Sequence, residues 1–287
     1  MILQSVKNII CDNTKLLLDK DAILALWWTG NNWGDKLNPI LIQKLSGKKP
    51  VLLTKYIVTN KNKTTYSVIG SILNTEVTYF RDINLVVWGT GFISYQDRLL
   101  VRPQRICAVR GPLTREILVK QGFECPEIYG DPALLYPRFF MPKVNKKYKL
   151  GIIPHFLDKK NKILDNFQNN SDVLLIDIQG GINEVVEKIM SCQKIASSSL
   201  HGIIAADAYG IPSTWIELSD KVTGNGFKFF DYFQSVGRND EESMLIDQKI
   251  SVDDILARFY SYKLEIDMNE LWEVCPFRRP KVFNGES

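Results

Sequence analysis

The 287-residue sequence has few side chains able to support metal, disulfide or imidazole chemistry. Its five cysteines are widely spaced and form no C-x-x-C pair, which argues against a disulfide framework and against a structural zinc site. We expect reduced, mostly buried thiols. Only two histidines are present, His155 and His201, so any imidazole that titrates near neutral pH must be one of them.

Long apolar runs are also absent. The longest, such as Ala22–Trp28 and Ile83–Trp88, fall well short of the roughly 20 residues that span a bilayer, and the first residues lack the layout of a signal peptide. A composition of 45% hydrophobic and 24% charged residues excludes disordered and small disulfide-stapled classes. We therefore expect a cytoplasmic protein with no transmembrane segment.

The formal net charge of +4 hides an asymmetry between the two halves of the chain. Residues 1–140 carry 18 basic and 11 acidic side chains, whereas residues 141–287 carry 18 and 21. The basic excess is spread along the first half without an aromatic and basic stripe, so no nucleic-acid partner is expected. Peripheral attraction of this half to an anionic membrane surface, at the inner face of the cell membrane, is a further expectation.

Short Val- and Ile-rich runs alternate with stretches of helical period, which predicts an α/β protein built on parallel sheets. The alternation restarts after a Pro- and Lys-rich connection near residue 143. We predict two Rossmann-like domains facing each other across a cleft, over residues 1–143 and 144–265, and a final segment 266–287 that crosses back to the first domain. The predicted strands are Ala22–Trp28, Pro50–Thr54, Val68–Gly70, Leu85–Trp88, Ile106–Val109, Leu150–Pro154, Val173–Ile178, Lys194–Ser197 and Thr214–Glu217.

Several well-known motifs are missing. No G-x-G-x-x-G follows a strand, and there is no G-x-x-x-x-G-K-[ST], H-E-x-x-H or G-x-S-x-G. Dinucleotide-binding, P-loop, zinc-protease and α/β-hydrolase functions therefore lose their main support.

Polar residues of the first half collect where strands end, which is where open α/β sheets bind ligands. The loop after the first strand contains Asn31, Asn32 and Asp35 and leads into a helix, so it suits sugar hydroxyls or anions, or forms a capped turn. Arg110 ends another strand beside a helix start, a position that favours carboxylate or phosphate, although an ordinary solvated arginine also fits. The remaining candidates are Thr90, in a glycine-flanked turn, and Asp131, which could equally cap a helix.

The second half places both histidines at strand-to-helix junctions. His155 ends one strand, and the segment Ser197-Ser-Ser-Leu-His-Gly202 joins hydroxyls and the His201 imidazole at the start of a helix. A lone histidine is more often structural, but two at equivalent junctions favour a functional site. Lys228 and Asp231 are spaced i, i+3 and could form a surface ion pair.

The ordered motifs resemble those of the polysaccharide pyruvyl transferase family, over about residues 25–235. They are Gly30-Asn-Asn-Trp-Gly-Asp35, Trp88-Gly-Thr-Gly91, Val109-Arg-Gly-Pro-Leu-Thr-Arg115, Tyr129-Gly-Asp-Pro-Ala133, Ile152-Ile-Pro-His155, Ser197-Ser-Ser-Leu-His-Gly-Ile203 and Lys228-Phe-Phe-Asp-Tyr232. The resemblance implies a fold like that of GT-B glycosyltransferases. It also implies transfer of the enolpyruvyl unit of phosphoenolpyruvate (PEP) onto two hydroxyls of a sugar, in exopolysaccharide or capsule biosynthesis, with release of phosphate.

Residue roles follow from that resemblance. His201 is the expected general acid and Arg110 the expected anion clamp, both catalytic, with no metal and no cofactor besides PEP as co-substrate. The second domain would bind the donor and the first the acceptor, a sugar or a lipid-linked oligosaccharide. Some relatives have an arginine two residues before the histidine, whereas this chain has Ser199. The expected donor-binding residues are Arg110, His155, Ser197, Ser198, Ser199, Gly202 and Lys228, and the acceptor-binding residues are Asn31, Asn32, Asp35, Thr90 and Asp131.

Two other functions are compatible with the same residues. A GT-B-type glycosyltransferase of the same pathway would bind a nucleotide sugar in the cleft and use His201 as a base or phosphate ligand. A non-catalytic carbohydrate-binding protein is the third possibility, but it would have no need for Arg110 and His201 in one cleft.

Overall fold

The computed structural model describes residues 19–53, 63–73, 83–239 and 241–279. The first half forms a five-stranded sheet in which every pairing is parallel. Its strand order is β2-β1-β3-β4-β5. The strands are β1 (Ala22–Leu26), β2 (Lys49–Leu52), β3 (Thr64–Ser67), β4 (Asn84–Trp88) and β5 (Arg105–Ala108).

The second half forms another parallel sheet of five strands. Its order, β7-β6-β8-β9-β10, is the same permutation as that of the first sheet. The predicted α/β class with parallel sheets is confirmed, and both sheets change strand order beside their first strand. The strands are β6 (Tyr148–Ile153), β7 (Val173–Leu175), β8 (Cys192–Ser197), β9 (Ser213–Glu217) and β10 (Met244–Leu245).

Helices and short 3-10 turns connect the strands. The first helix ends as its sequence predicts, because Gly47 adopts a left-handed conformation (φ 67°) and its N–H donates to the carbonyl oxygen of Gln43. The α-helices are α1 (Trp33–Ser46), α2 (Pro112–Lys120), α3 (Asp165–Gln168), α4 (Ile182–Met190), α5 (Leu200–Ala208), α6 (Phe227–Ser235), α7 (Val252–Ala257) and α8 (Met268–Glu273). The 3-10 turns are Pro132–Arg138, Phe156–Asp158 and Lys162–Leu164.

Two predicted elements are wrong in place or type. The strand predicted at Val68–Gly70 lies at Thr64–Ser67, because the polar segment pairs between β1 and β4 and tertiary pairing outweighs its weak apolar pattern. The helix expected to continue to about Asn169 is broken into 3-10 turns and the single-turn α3. Side chains of His155 and Asn161 bond to nearby backbone N–H groups there, which favours turns over a continuous helix.

One hydrophobic cluster runs through both halves. It joins Trp33 and Leu37 of α1 to Val185 of α4 and Ile203 of α5. Polar bonds reinforce this contact, since the Trp33 indole N–H donates to the carbonyl oxygen of Ile182 at 3.1 Å. The two sheets therefore share this part of their core, and each sheet also packs on a second cluster of its own, around Leu26 and Val87 in the first half and around Leu150 and Ile152 in the second.

The chain after β10 returns to the first sheet. The Trp88 indole N–H donates to the carbonyl oxygen of Leu271 at 3.0 Å, and the Phe277 ring packs edge-on against Tyr66. Arg279 donates to the carbonyl oxygen of Ser46 at 2.8 Å. Residues 268–279 therefore cover part of the first sheet and tie it to the second half.

The described cysteines are unpaired and buried. Burial raises the thiol pKa of Cys125 to about 12 and that of Cys192 to about 11, so these thiols stay protonated; Cys11 lies outside the described residues. Within the described ranges, no three His, Cys, Asp or Glu side chains are grouped to hold a metal ion. No helix there has the length and apolar character to cross a membrane.

Candidate functional site

A cavity of about 300 Å³ lies where the carboxyl ends of the two sheets meet. Ile93 after β4 and Thr223 and Lys228 after β9 add to its walls, which come mostly from the segments that follow β1 and β3 in the first sheet and β6 and β8 in the second. These pairs of strands flank the point where each sheet reverses its order, the usual ligand position in open α/β sheets. The lining residues are Trp28, Asn32, Asp35, Ser71, Ile72, Ile93, His155, Phe156, Leu157, Ser199, Leu200, His201, Thr223 and Lys228.

The N-terminus of α5 forms one wall. Ser199 occupies the N-cap without making a side-chain cap bond, and its buried hydroxyl has no hydrogen-bond partner. The first turn of α5 has no acidic residue, so no carboxylate of the helix itself offsets the positive end of its dipole, which favours an anion there. The Ser199 hydroxyl and the N-terminus of α5 together form a suitable place for an anion.

His201 lies in the first turn of α5 and is only 7% exposed. Burial and the nearby cations Lys228 and Arg110 lower its pKa to about 3. The imidazole is therefore neutral at pH 7 in the free protein. An anion bound beside it would favour the protonated form and raise that pKa.

His155 forms the adjoining wall. Its backbone N–H donates to the Ser198 hydroxyl at 2.8 Å, and its ring packs on Phe156 with centroids 4.3 Å apart. Burial and Lys228 lower the pKa of His155 to about 3. Both histidines of the chain thus reach one cavity, each in its neutral form.

Lys228 brings a positive charge to the cavity from the first turn of α6. Burial and the charge of Arg110 lower its pKa to about 8, while Asp35 opposes that shift. No carboxylate of the described residues forms a salt bridge with Lys228. The alternative of a surface ion pair between Lys228 and Asp231 is wrong, because Asp231 is buried and bonds to Arg110 instead. The Lys228 charge lies at the cavity between the Arg110 guanidinium and the Asp35 carboxylate, and it favours an anionic ligand.

The wall from the first half is rich in acceptor oxygens. The Asn32 side chain caps no backbone group, and its buried Oδ1 has no hydrogen-bond partner. Asp35 lies one turn further along α1, at the N-terminal end where a carboxylate is stabilised by the helix dipole. Asn31, which has a left-handed backbone conformation (φ 64°), is exposed and does not line the cavity.

Arg110 is fully buried behind the cavity and bonded through every nitrogen of its guanidinium group. Its Nε donates to Asp231 at 2.9 Å, Nη1 to the Ser71 hydroxyl at 2.6 Å and Nη2 to the carbonyl oxygen of Phe92 at 2.6 Å. Asp231 also accepts from the backbone N–H and hydroxyl of Thr114. Arg110 therefore joins α6 to the first half and reaches the cavity wall only through Ser71.

Four further predicted residues lie outside the wall. The Ser197 hydroxyl donates to the carbonyl oxygen of Ser199, and Gly202 packs so closely on Ser197 that a Cβ would lie 2.3 Å from its hydroxyl. The Thr90 hydroxyl donates to the carbonyl oxygen of Gly70. Asp131 caps the turn at Ala133 with one oxygen, and burial raises its pKa to about 7. The polar side chains among these four residues are thus engaged with local backbone groups and do not line the cavity.

The structure brings together six predicted residues at the wall: Asn32, Asp35, His155, Ser199, His201 and Lys228. Ser198 lies just behind them, bonded to His155. Trp28, Ser71 and Phe156 are wall residues that the sequence analysis missed. Their position shortly after β1, β3 and β6 was the one signal that could have identified them. The residue types of Trp28 and Phe156 gave no signal, because tryptophan and phenylalanine are common in apolar segments.

A family model described as polysaccharide pyruvyl transferase matches residues 46–220, which is more than half of the chain. The chain belongs to the polysaccharide pyruvyl transferase family. Its membership makes the chain a transferase and confirms the resemblance found in the sequence motifs. The matched range includes the strands β2 to β9, which are four of the five described strands of each sheet.

Two relatives of this chain extend the comparison. An uncharacterized protein of Acanthamoeba polyphaga mimivirus is 35% identical over 213 residues, which are 72% of this chain and 71% of the relative. The succinoglycan biosynthesis protein ExoV of Rhizobium meliloti is 30% identical over 174 residues, 59% of this chain and 52% of ExoV. The match to ExoV therefore spans about half of that protein.

Proposed function

We propose that the protein transfers the enolpyruvyl unit of PEP onto two hydroxyls of a sugar during polysaccharide biosynthesis, forming a cyclic pyruvate ketal and releasing phosphate. The observation that carries the proposal is the convergence of His201, His155 and Lys228 at the open N-terminus of α5, in one cavity of a pyruvyl transferase. PEP is small and carries a phosphate and a carboxylate, which suit two basic side chains and a helix N-terminus.

The two walls of the cavity support separate roles for the two halves. The wall around α5 and α6 is basic and would take the donor. The opposite wall presents Asn32 and Asp35, whose oxygens accept hydrogen bonds from hydroxyl groups, and would take the acceptor. We take the two sheets to face each other across this site as in GT-B enzymes, an arrangement supported by the lining contributed from both carboxyl edges.

The reaction needs a proton donor within the cavity. His201, protonated once the anionic donor is bound, delivers a proton to the methylene carbon of PEP, and C2 gains oxocarbenium character. One sugar hydroxyl attacks C2, the C2–O bond to phosphate breaks, and the second hydroxyl closes the ketal. The proton lost by one hydroxyl restores His201, and the proton lost by the other leaves on the phosphate.

Arg110 acts as a positioning residue in this scheme. Its donors are engaged by Asp231, Ser71 and Phe92, so it fixes α6, and with it Lys228, against the first half. Its charge also adds to the positive potential felt by His201. The anion contacts themselves fall to Lys228, the histidines and the α5 N-terminus, which compensates for Ser199 where some relatives have arginine.

A ligand screen tests the donor. PEP should raise the melting temperature of the purified protein, and UDP-, GDP- and CMP-sugars at equal concentration should not. The cavity volume, at the low end of the roughly 300–1,000 Å³ of small-ligand sites, favours the smaller donor. Stabilisation by a nucleotide sugar alone would replace the proposal with glycosyl transfer.

An activity assay tests the chemistry. With PEP and a galactose-, glucose- or mannosamine-type acceptor, the protein should release phosphate and yield an acid-labile product. Replacing the acid in His201→Ala should lower the rate by about 10²-fold or more. A near-normal rate in that variant would remove His201 from the proposed role.

A further inference from the structure

Two aromatic rings form an apolar face inside the cavity, one from each half. Trp28 follows β1 and Phe156 follows β6, so they occupy equivalent places after the first strand of each sheet. Their ring centroids are 5.1 Å apart with planes inclined at 40°. Both side chains line the cavity and are only partly buried.

The Trp28 ring is held by its neighbours. A Cβ at Gly30 would lie 1.9 Å from the indole, so the ring packs directly on bare glycine backbone. The carbonyl oxygen of Gly30 accepts a hydrogen bond from Gln179 of the second half at 2.9 Å. Lys36 adds bonds to the carbonyl oxygens of Gln179 and Gly180. The loop that carries Trp28 is therefore fixed across the two halves.

The Phe156 ring is fixed by His155, whose imidazole packs against it with centroids 4.3 Å apart. The next residue, Leu157, is 45% exposed and extends the apolar surface along the cavity wall. One end of this surface thus adjoins the imidazole, and the other continues the Trp28 ring.

This aromatic face offers no group that would bind the donor. PEP is recognised by cations and N–H groups, and these lie at α5 and α6. A pyranose is different, because one face of its ring presents C–H bonds while its edge presents hydroxyls. Polarised C–H groups pack favourably on the negative face of an aromatic ring, and the acceptor oxygens of Asn32 and Asp35 lie in the same cavity for the hydroxyls.

We propose that Trp28 and Phe156 are the stacking platform for the acceptor, a pyranose whose C–H face lies on the two rings with its reacting hydroxyl pair directed towards His201. The inference rests on the proposed function for the identity of the donor, but it concerns sugar binding alone. It makes Trp28 a specificity-determining residue for the acceptor and leaves donor affinity to the basic wall.

Binding measurements on the full chain test the platform. Saturation-transfer NMR with methyl β-galactopyranoside, methyl β-glucopyranoside and N-acetylmannosamine is compared for wild type, Trp28→Ala, Trp28→Phe and Phe156→Ala, and PEP affinity is measured by calorimetry. Trp27→Ala is the matched control, since Trp27 is also partly buried but packs on the shared core outside the cavity. Melting temperatures verify that each variant is folded.

At least one sugar should bind wild type. Trp28→Ala and Phe156→Ala should weaken that binding by about 10-fold, Trp28→Phe should restore it to within about 3-fold, and Trp27→Ala should leave it unchanged. PEP affinity should stay within about 2-fold in the folded Trp28 and Trp27 variants, which leave the contact between Phe156 and His155 in place.

Unchanged sugar binding in Trp28→Ala, equal loss of sugar and PEP affinity, or no binding of the three sugars to wild type would each overturn the platform. If the protein binds a sugar through Trp28 but does not bind PEP, the proposal of a sugar platform stands and the proposal that PEP is the donor fails.

Discussion

Gly34 of α1 lies against the imidazole of His201 in α5, so closely that a Cβ on Gly34 would be 2.3 Å from both Nε2 and Cδ2. The two residues belong to different halves of the chain and are 167 positions apart. The position of the imidazole is therefore set by a helix of the opposite half. Any side chain at position 34 must displace the ring, since Cβ atoms in proteins do not approach other atoms to this distance.

The Gly34→Ala variant should lose activity without losing its fold. Alanine is the better helix former by roughly 1 kcal/mol, which offsets part of the strain of moving the His201 ring. We expect phosphate release from PEP to fall by about 10²-fold, in line with displacement of a general acid, while the melting temperature changes by only a few degrees. Steady-state assays and thermal denaturation measure the two effects.

A double-mutant cycle shows whether the effect acts through His201. In the His201→Ala background the ring is gone, so Gly34→Ala should cause little further loss, and the two effects should be far from additive. Additive losses would mean that Gly34 serves the reaction by another route.

Removing Arg110 should destabilise the protein through its buried partner. Arg110→Ala leaves the Asp231 carboxylate uncompensated in a fully buried position, and breaking such a pair costs about 3–5 kcal/mol. Removing both charges in Arg110→Met with Asp231→Leu should recover part of this loss in chemical denaturation, because Asp231→Leu also removes the acceptor of the buried Thr114 N–H and hydroxyl. Equal stability of the single and double variants would contradict the role of this pair in joining α6 to the first half.

The affinity for PEP should fall as the pH rises from about 6 to 9. Lys228 loses its charge as the pH passes its pKa of about 8, which removes a cation from the donor wall. His201, whose pKa is about 3 in the free protein, gains a proton in the proposed mechanism when the anion binds beside it. Calorimetry in buffers of different ionisation enthalpy should therefore detect proton uptake at pH 7.

Two variants identify the groups responsible for this pH dependence. Lys228→Arg should keep its charge and move the decline in affinity to higher pH, and His201→Gln should reduce the proton uptake. Proton release on binding, or affinity independent of pH in wild type, would contradict the electrostatic account of the cavity.

Lys228→Met should stabilise the free protein while abolishing PEP binding. Burial lowers the lysine pKa from 10.5 to about 8, so the folded state disfavours the charged form, and removing the charge should add roughly 1–3 kcal/mol at pH 7. Below pH 8 both folded and unfolded chains carry the proton and the full penalty applies. Between pH 8 and 10.5 only the unfolded chain keeps it, so wild type regains stability and the advantage of the variant shrinks.

The exposed Lys143 provides the control for this prediction. Lys143→Met should change the unfolding free energy by no more than about 0.5 kcal/mol. A stability gain for Lys228→Met that persists unchanged at pH 10 would show that its cause is not the buried charge.

Much of the fold followed from local sequence rules. Gly47 ends α1 with the left-handed conformation that glycine favours, and Pro112 begins α2 where a missing N–H does no harm. The strand Thr64–Ser67 escaped prediction because its residues are polar and its pairing partners are distant in the chain. The spacing of apolar residues indicates which residues of an element are buried. The burial of this polar strand instead depends on β1 and β4, which pair with it on either side.

The site was predictable only where chemistry and position coincide. His201, His155 and Asn32 were found because polar side chains after a strand are unusual. Arg110 has the same signature, yet its guanidinium is turned to Asp231, a partner 121 residues away that no local pattern indicates. Trp28 was missed for a different reason. An aromatic side chain at the end of an apolar strand is typical of the hydrophobic core, so nothing in the sequence marked it as a cavity residue.

The hydrophobic cluster shared by α1, α4 and α5 has a consequence for cooperativity. Two units with separate cores could melt one after the other, whereas a common core makes the loss of either sheet expose the other. Native-state hydrogen exchange should therefore show β1 and β6 opening with the same free energy. A ligand bound in the cavity would then slow amide hydrogen exchange equally in β1 and β6. Slower exchange measured in one half of the chain would therefore show that the cavity is occupied, whether by the donor or by the acceptor.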